Sequence, residues 1–329
     1  MIKCYKHLAV VFPLAKKSLP VIYTPDFKRH RTSPQHPENP LRVEAIWRFL
    51  ETGPLSPYLR IVEPKEAPFE WLTQVHDPHY VMRLEEACLK GHPHIYGPDN
   101  EISFDSFEVA KLAAGAVLVA VDLVEKEGEP LVFCPVRPPG HHAEKDRALG
   151  FCLFNNVAVG ARYWQKTYRR RLLILDWDAH HGNGIQHAFY ENDSVFYVSL
   201  HENPRLSFPG TGLAEERGAG GGEGYTLNIP MSLESGDAEY LKAFQAQVDP
   251  AVRAFAPEGI MIAAGFDAHR DDNMSFLNLT TRGFAAMSAY VREWSRIFKA
   301  PVISVLEGGY ELKSLVASVE THLKVLLGF

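Results

Sequence analysis

The sequence predicts an α/β fold in which an open, mostly parallel sheet is covered by helices on both faces. Three observations predict it. Short, wholly apolar runs alternate with longer stretches of helical periodicity, the pattern of strands buried on both sides. Each apolar run is followed by a polar or glycine-rich cluster, and open α/β sheets bind ligands outside the carboxyl ends of their strands. The 329 residues, 46% hydrophobic and 22% charged, carry ample apolar side chain for a large core, which excludes disorder, collagen and coiled coil. No repeat or linker interrupts the pattern, so residues 1–329 read as one domain.

In chain order, the apolar stretch at residues 8–15 comes first. It is short, contains Pro13, runs into Lys16 and Lys17 and lacks a clear cleavage site, which argues against a signal peptide. Residues 32–40, T-S-P-Q-H-P-E-N-P, read as an irregular loop, and loops of that length usually have a task. Residues 41–50 have helical spacing at Val43, Ile46, Trp47 and Leu50, and residues 105–127 form a longer Ala-rich helix with Gly128 as its natural stop. Beyond it, residues 131–133, 172–175, 195–198, 260–262 and 302–306 predict buried strands. Helices are predicted over residues 154–168, 238–256 and 281–298.

Charge and cysteine usage narrow the function classes. Lys and Arg number 34 against 40 Asp and Glu, a net charge of −6 that disfavours nucleic acid as a partner. No apolar stretch reaches the roughly 18 residues of a membrane span. Cys4, Cys88, Cys134 and Cys152 are scattered without a C-x-x-C pair, so neither a disulfide framework nor a cysteine zinc site is expected, and a reducing cytoplasm is. Fifteen histidines, several beside aspartates, hint at metal chemistry.

Five clusters follow the apolar runs: R-P-P-G-H-H from Arg137, D-W-D-A-H-H-G-N-G from Asp176, S-L-H-E from Ser199, G-F-D-A-H from Gly265 and E-G-G-Y from Glu307. They are expected to face one pocket. Asp176, Asp178 and His180 recur with a period of two and can point to one side, although alone they suit a solvated turn equally well. Asp267 adds a carboxylate, and Asp178, His180 and Asp267 then form a mixed O/N set with open positions, as catalytic zinc requires. His141 and His142 follow the rigid Pro138-Pro139-Gly140, a poor place for merely packed histidines; solvated loop residues are the alternative. Asp176 can accept an Nδ1 proton from an imidazole and raise its basicity. Gly308 and Gly309 would let backbone lie close to a ligand while Tyr310 donates its phenol proton; the bland alternative is a turn.

The segments R-P-P-G-H-H, G-F-C-L-F-N-N-V-A, D-W-D-A-H-H-G-N-G, S-L-H, G-E-G-Y-T-L-N-I-P, A-G-F-D-A-H and L-E-G-G-Y, in this order, resemble the zinc-dependent histone deacetylase family. That family includes bacterial deacetylase-like amidohydrolases and acetylpolyamine amidohydrolases. The resemblance runs from His36 to Tyr310 and implies the arginase/deacetylase fold, an open sheet of about eight mainly parallel strands. It implies Asp178, His180 and Asp267 as zinc ligands, His142 as general base, His141 as its electrostatic or acid neighbour and Asp176 as the acid bonded to His141. Tyr310 would polarise the substrate carbonyl. Asn183 stands where some members have a second acid, as in the class II form, and a neutral amide there implies a lower pKa for His142. Gly150, Phe151 and Phe208 match the tunnel, Met274 its inner rim and Asp99 an acidic rim residue. Monovalent cations, K+ or Na+, are implied at Asp176, Asp178, His180, Ser199 and Leu200, and at Phe189, Asn192, Val195 and Tyr225.

The implied reaction is hydrolysis of an acetyl or short acyl amide, with acetyl-lysine as the expected substrate and Fe(II) able to replace zinc. Homo-oligomerisation stays open. An acetylpolyamine substrate would favour an acid deep in the tunnel, where Met274 is apolar. A catalytically inactive acyl-lysine binding module is disfavoured by Tyr310 and both histidines. A ureohydrolase would need two metals and a D-x-D-x-x-D cluster, whereas Asp267, Asp271 and Asp272 occur as D-A-H-R-D-D.

Overall fold

The computed structural model describes residues 18–329; residues 8–15, weighed as a leader, and Cys4 lie outside the described residues. Eight strands form one sheet: β1 (Leu19–Ile22), β2 (Leu59–Val62), β3 (Leu131–Cys134), β4 (Leu172–Asp176), β5 (Val195–Glu202), β6 (Thr226–Met231), β7 (Gly259–Ala264) and β8 (Val302–Leu306). Their order is β2-β1-β3-β8-β7-β4-β5-β6, and every pairing is parallel. Strands β3, β4, β5, β7 and β8 are buried at every position. Successive side chains point to opposite faces, so both faces are covered. The helices are α1 (Leu41–Thr52), α2 (Phe69–Leu72), α3 (Pro78–Leu89), α4 (Ser106–Asp122), α5 (Asn156–Tyr168), α6 (Asn183–Phe189), α7 (Asp237–Ala243), α8 (Asp249–Phe255), α9 (Thr281–Phe298) and α10 (Leu312–Leu327). Among the described residues no helix is long and apolar enough to cross a membrane.

The five apolar runs are β3, β4, β5, β7 and β8. The other three strands lack an unbroken run. Pro20 interrupts β1, which meets β3 at the single register pair Val21 and Phe133, while β2 and β6 are the sheet edges and carry Arg60 and Pro230. Two helices differ from their prediction. The helix expected over residues 105–127 is α4 followed by a wider π-helical turn, Leu123–Glu127, whose Glu125 accepts hydrogen bonds from Trp164 and Arg170; Gly128, at φ 73°, then ends it. The helix expected over residues 238–256 widens at Phe244–Val248, between α7 and α8, just before Pro250, which has no N–H to donate.

The topology places a crevice in the middle of the sheet. From β4 the chain moves outward to β5 and β6, then returns to β7 on the other flank of β4. Asp176 pairs in register with Ala263, and Ala263 with Val305, so β4, β7 and β8 end level. Such a switch point is where open α/β sheets bind ligands. Four of the five motif clusters lie beyond strand ends around it. The fifth does not: β5 runs on through Glu202, so Ser199, Leu200 and His201 lie inside the sheet. There His201 bonds to the Gly212 carbonyl at 2.9 Å and to Ser199 Oγ at 2.8 Å.

The loop at residues 32–40 does have a task. Glu38, Arg42 and Arg137 are fully buried, and Glu38 Oε1 accepts from Arg42 Nη1 at 3.1 Å and from Arg137 Nε at 2.8 Å. Arg137 also donates to the carbonyls of Phe27 and His30, which pins the strand–loop segment after β3 to the N-terminal region. Burial alone would raise the Glu38 carboxyl, but the two guanidiniums bring it down to about 2. Its stabilising contribution is therefore present above the ordinary carboxylate pKa and fades as pH falls toward 2. Glu38→Ala should cost about 3–5 kcal/mol in urea unfolding at neutral pH, because it leaves two buried guanidiniums unpaired. The deficit relative to wild type should shrink on acidification; a pH-independent deficit would remove the carboxylate from the account.

Candidate active site

Asp178 lies just past β4 and Asp267 just past β7, and both are buried. With His180 they offer ligand atoms that all lie within 4.8 Å of one another. Backbone amides aim the carboxylates: Gly308 N donates to Asp178 Oδ2 at 2.8 Å, His180 N to Asp178 Oδ1 at 2.9 Å and Ala179 N to Asp267 Oδ1 at 2.9 Å. The approach at residue 308 requires glycine, since a Cβ there would stand 2.6 Å from Oδ2 of both aspartates. His180 Nε2 bonds to the Met274 carbonyl at 3.1 Å, which assigns that nitrogen the proton and leaves Nδ1 facing Asp267 and Asp178 at 3.0 and 3.3 Å.

Burial and the Asp178 charge raise Asp267 to about 6, whereas His141 and His180 overcome burial and hold Asp178 below the ordinary carboxylate range. Two buried carboxylates side by side call for a positive charge between them. A divalent cation with mixed O/N coordination meets that demand, and three protein donors leave positions open. The residues fit zinc or iron(II). Another buried group, His141, Cys152 and Glu307, has the same span. Its donors are already engaged, because Glu307 Oε2 accepts from Gly140 N and His141 N, His141 Nδ1 meets Asp176, and burial keeps the Cys152 thiol protonated.

The two histidines of the loop after β3 differ in their partners. His141 Nδ1 lies 3.2 Å from Asp176 Oδ2, and His142 Nδ1 lies 2.8 Å from Asn183 Oδ1. Despite burial, Asp178 and Asp176 raise His141 to about 10. Burial and the neighbouring His141 charge push His142 well below its ordinary value. The Asn183 hydrogen bond raises it in part, without the full negative charge that a carboxylate at that position would bring. The loop is anchored by Asn155 Nδ2 on the Ala143 carbonyl at 3.2 Å and by Asn156 Nδ2 on the Pro138 carbonyl at 3.0 Å. The F-N-N segment thus carries an anchoring duty that its place in the sequence did not disclose.

Tyr310 follows β8 and is half-buried. Asp272 Oδ2 accepts from Tyr310 N at 2.6 Å and Glu311 N at 3.0 Å, while Arg42 Nε donates to the Gly309 carbonyl at 2.6 Å and its guanidinium lies 4.8 Å from the Tyr310 ring centre. Burial raises the phenol pKa well above its ordinary value, so it remains a proton donor. The sequence does not disclose these roles of Arg42 and Asp272, because here both bond to backbone.

Two aromatic walls border these groups. The Phe151 ring meets Tyr310 edge-on at 5.8 Å and His36 at 4.7 Å, and Phe208 meets His142 edge-on at 4.9 Å. A Cβ on Gly150 would stand 2.6 Å from His142 Cδ2 and 2.9 Å from Phe208, and Gly150 adopts φ 52°. Met274 is half-buried and contributes its carbonyl to His180, while exposed Asp99 is tied in through its carbonyl, which accepts from His36 Nε2 at 3.2 Å. Of the expected cation positions, Ser199 pairs with Asp176 across β4 and β5 and Leu200 follows it. Asn192 N bonds to the Phe189 carbonyl just before Val195 opens β5, and the Tyr225 carbonyl accepts from Tyr197 of the same strand.

The comparisons with known proteins agree with this geometry. The model of the histone deacetylase domain matches residues 36–326. A probable deacetylase of Archaeoglobus fulgidus is 38% identical over 296 residues, 89% of this chain and 81% of its own length. An uncharacterised protein of Synechocystis is 38% identical over 313 residues, 93% of this chain and 99% of its own. The crystal structure of the HDA15 HD domain superposes with a TM-score of 0.90 at 36% identity, covering 95% of this chain and 89% of that one. Because the match extends from the loop that holds Glu38 into the last helix, and the same parallel sheet underlies both, the chain belongs to the histone deacetylase family.

Proposed function

We propose that this chain is a zinc-dependent deacetylase that hydrolyses the acetyl or short acyl amide of a lysine side chain, with iron(II) as the alternative metal. The observation that carries the proposal is the junction of the Asp178, His180 and Asp267 donor set with a neutral imidazole, His142, whose Nδ1 is engaged by an amide. Similarity to a probable deacetylase supports it. The unpaired, buried Cys88, Cys134 and Cys152 suit a reducing compartment such as the cytoplasm. In the same reading, K+ or Na+ is held by the oxygen-rich segments around Ser199 and Asn192.

When bound, the divalent ion would supply Lewis-acid polarisation and lower the pKa of water. His142 Nε2 takes a proton from the attacking water, since its Nδ1 is committed to Asn183. The Tyr310 phenol donates to the carbonyl oxygen as negative charge develops there. His141, held cationic by Asp176, supplies a proton toward the leaving amine. Phe151 and Phe208 pack on the substrate methylenes and exclude water. The overall test is a panel on metal-defined enzyme, with kcat/KM for acetyl-lysine peptides expected to exceed that for N-acetylated polyamines. The reverse ranking would replace the substrate class.

Three substitutions test the roles. Asp178→Ala and Asp267→Ala should each abolish both bound zinc and turnover; stoichiometric zinc by elemental analysis in either variant would remove the aspartate from the ligand set. His142→Ala should retain its metal and lose ~10²- to 10⁴-fold in kcat, and a loss below about tenfold would exclude it as the base. Tyr310→Phe should lower kcat roughly 10²- to 10³-fold with little change in KM or zinc content. Near-normal turnover in that variant would mean that the phenol plays no part at the carbonyl.

A further inference from the structure

The two ends of the Asn183 amide are assigned by their neighbours. Asn183 Nδ2 lies 2.5 Å from Glu144 Oε1 and 3.2 Å from the His142 carbonyl. A carboxylate and a carbonyl only accept, so the NH2 group must face them and Oδ1 must face His142 Nδ1 at 2.8 Å. An amide oxygen cannot donate. His142 therefore carries its proton on Nδ1 and keeps the Nε2 lone pair free.

Glu144 is itself held on all sides. Its backbone N donates to the Arg147 carbonyl at 3.0 Å and its carbonyl accepts from His76 Nδ1 at 2.8 Å. His187 Nδ1 reaches its two carboxylate oxygens at 2.9 and 2.8 Å. Asn183 and His187 lie four residues apart on α6, hence on one face, and the His187 side chain is half-exposed. Glu144 itself is 8% exposed. Burial would raise its carboxyl, but hydrogen bonds from His187 and Asn183 bring it below its ordinary value, so it stays an acceptor at neutral pH.

We propose that Glu144 is a positioning residue, which fixes the direction of the Asn183 amide and thereby the His142 tautomer needed in a base, with His187 steadying the carboxylate from the solvent side. This rests on the reading of His142 as the base. Without an anion behind it, the amide can flip and present NH2 to Nδ1, which moves the imidazole proton to Nε2 and blocks proton abstraction. Glu144→Gln still offers an accepting oxygen. Asn183→Asp supplies a carboxylate that accepts from Nδ1 whichever way it turns, which makes Glu144 dispensable; with Glu144 retained, that substitution would set two carboxylates in contact.

The experiment is a double-mutant cycle on zinc-loaded protein with an acetyl-lysine peptide, comparing wild type, Glu144→Ala, Glu144→Gln, Asn183→Asp and the Glu144→Ala/Asn183→Asp pair. Glu144→Ala should lower kcat at least about tenfold with KM nearly unchanged, and Glu144→Gln should recover most of that loss. In the Asn183→Asp background, Glu144→Ala should leave kcat unchanged or raise it. An equal loss in both backgrounds, a loss confined to KM, or glutamine as harmful as alanine would overturn the proposal. The imidazole 1H–15N spectrum of the wild-type protein provides a check that needs no variant to fold: His142 should be the Nδ1–H tautomer, and Nε2–H would refute the assignment. An inactive wild type would instead count against the deacetylase reading, and an active His142→Ala variant against the reading of His142 as the base.

Discussion

Asp178 and Asp267 stand side by side out of water, with oxygens inside the 4.8 Å span that also contains a His180 nitrogen. Two buried negative charges at that separation repel strongly, and much of the surrounding architecture answers that repulsion. Three backbone amides, from the loops after β4 and β8, point at the carboxylates, and glycine at 308 removes the side chain that would otherwise lie between them. His141 keeps a positive charge within reach of Asp178. What the protein atoms leave uncompensated is an electrostatic demand for a cation, with a geometry that accepts one.

The sheet makes this arrangement affordable in conformational terms. Because β4, β7 and β8 end level, carboxylates and the Tyr310 loop emerge at the same height from strands that are buried and rigid along their whole length. Short loops then need only aim side chains, while Glu38 with its two arginines and Glu307 with two backbone amides hold the loop bases. The division places stiffness in the strands and chemistry at their tips.

How much of this was legible follows from what each residue does. Strands β4, β7 and β8 are continuous apolar runs that break at a polar cluster, so both the element and its chemical tip show in the sequence. Strands β1 and β6 hide behind Pro20 and Pro230, and β2 behind Arg60. Asp178, His180 and Asp267 stand out because acids and imidazole after buried strands are costly without a purpose. Glu144, Asp272 and Arg42 do not, because they act through a side-chain amide, a backbone N–H or a carbonyl, and neither spacing nor periodicity marks a residue whose partner lies far along the chain. The S-L-H-E cluster misled for the opposite reason: polar residues inside a buried strand look like a strand end when their partners, such as Gly212 for His201, lie elsewhere.

Arg42 donates to the carbonyls of Glu307 and Gly309, residues 265 and 267 positions away, and β3, paired with β1 on one side, finds its other neighbour in β8, the last strand of the chain. A chain emerging from the ribosome can lay down β4, β5, β6 and β7 beside one another, but the centre of the sheet stays open until β8 has been made. The N-terminal segment with β1, β2 and β3 must wait with an unpaired apolar edge, a template for wrong pairing. Long-range closure of this kind slows folding. Maturation of the protein is therefore most exposed to aggregation between completion of β3 and synthesis of β8, and a chain cut short before β8 would lack the seam that joins its two halves.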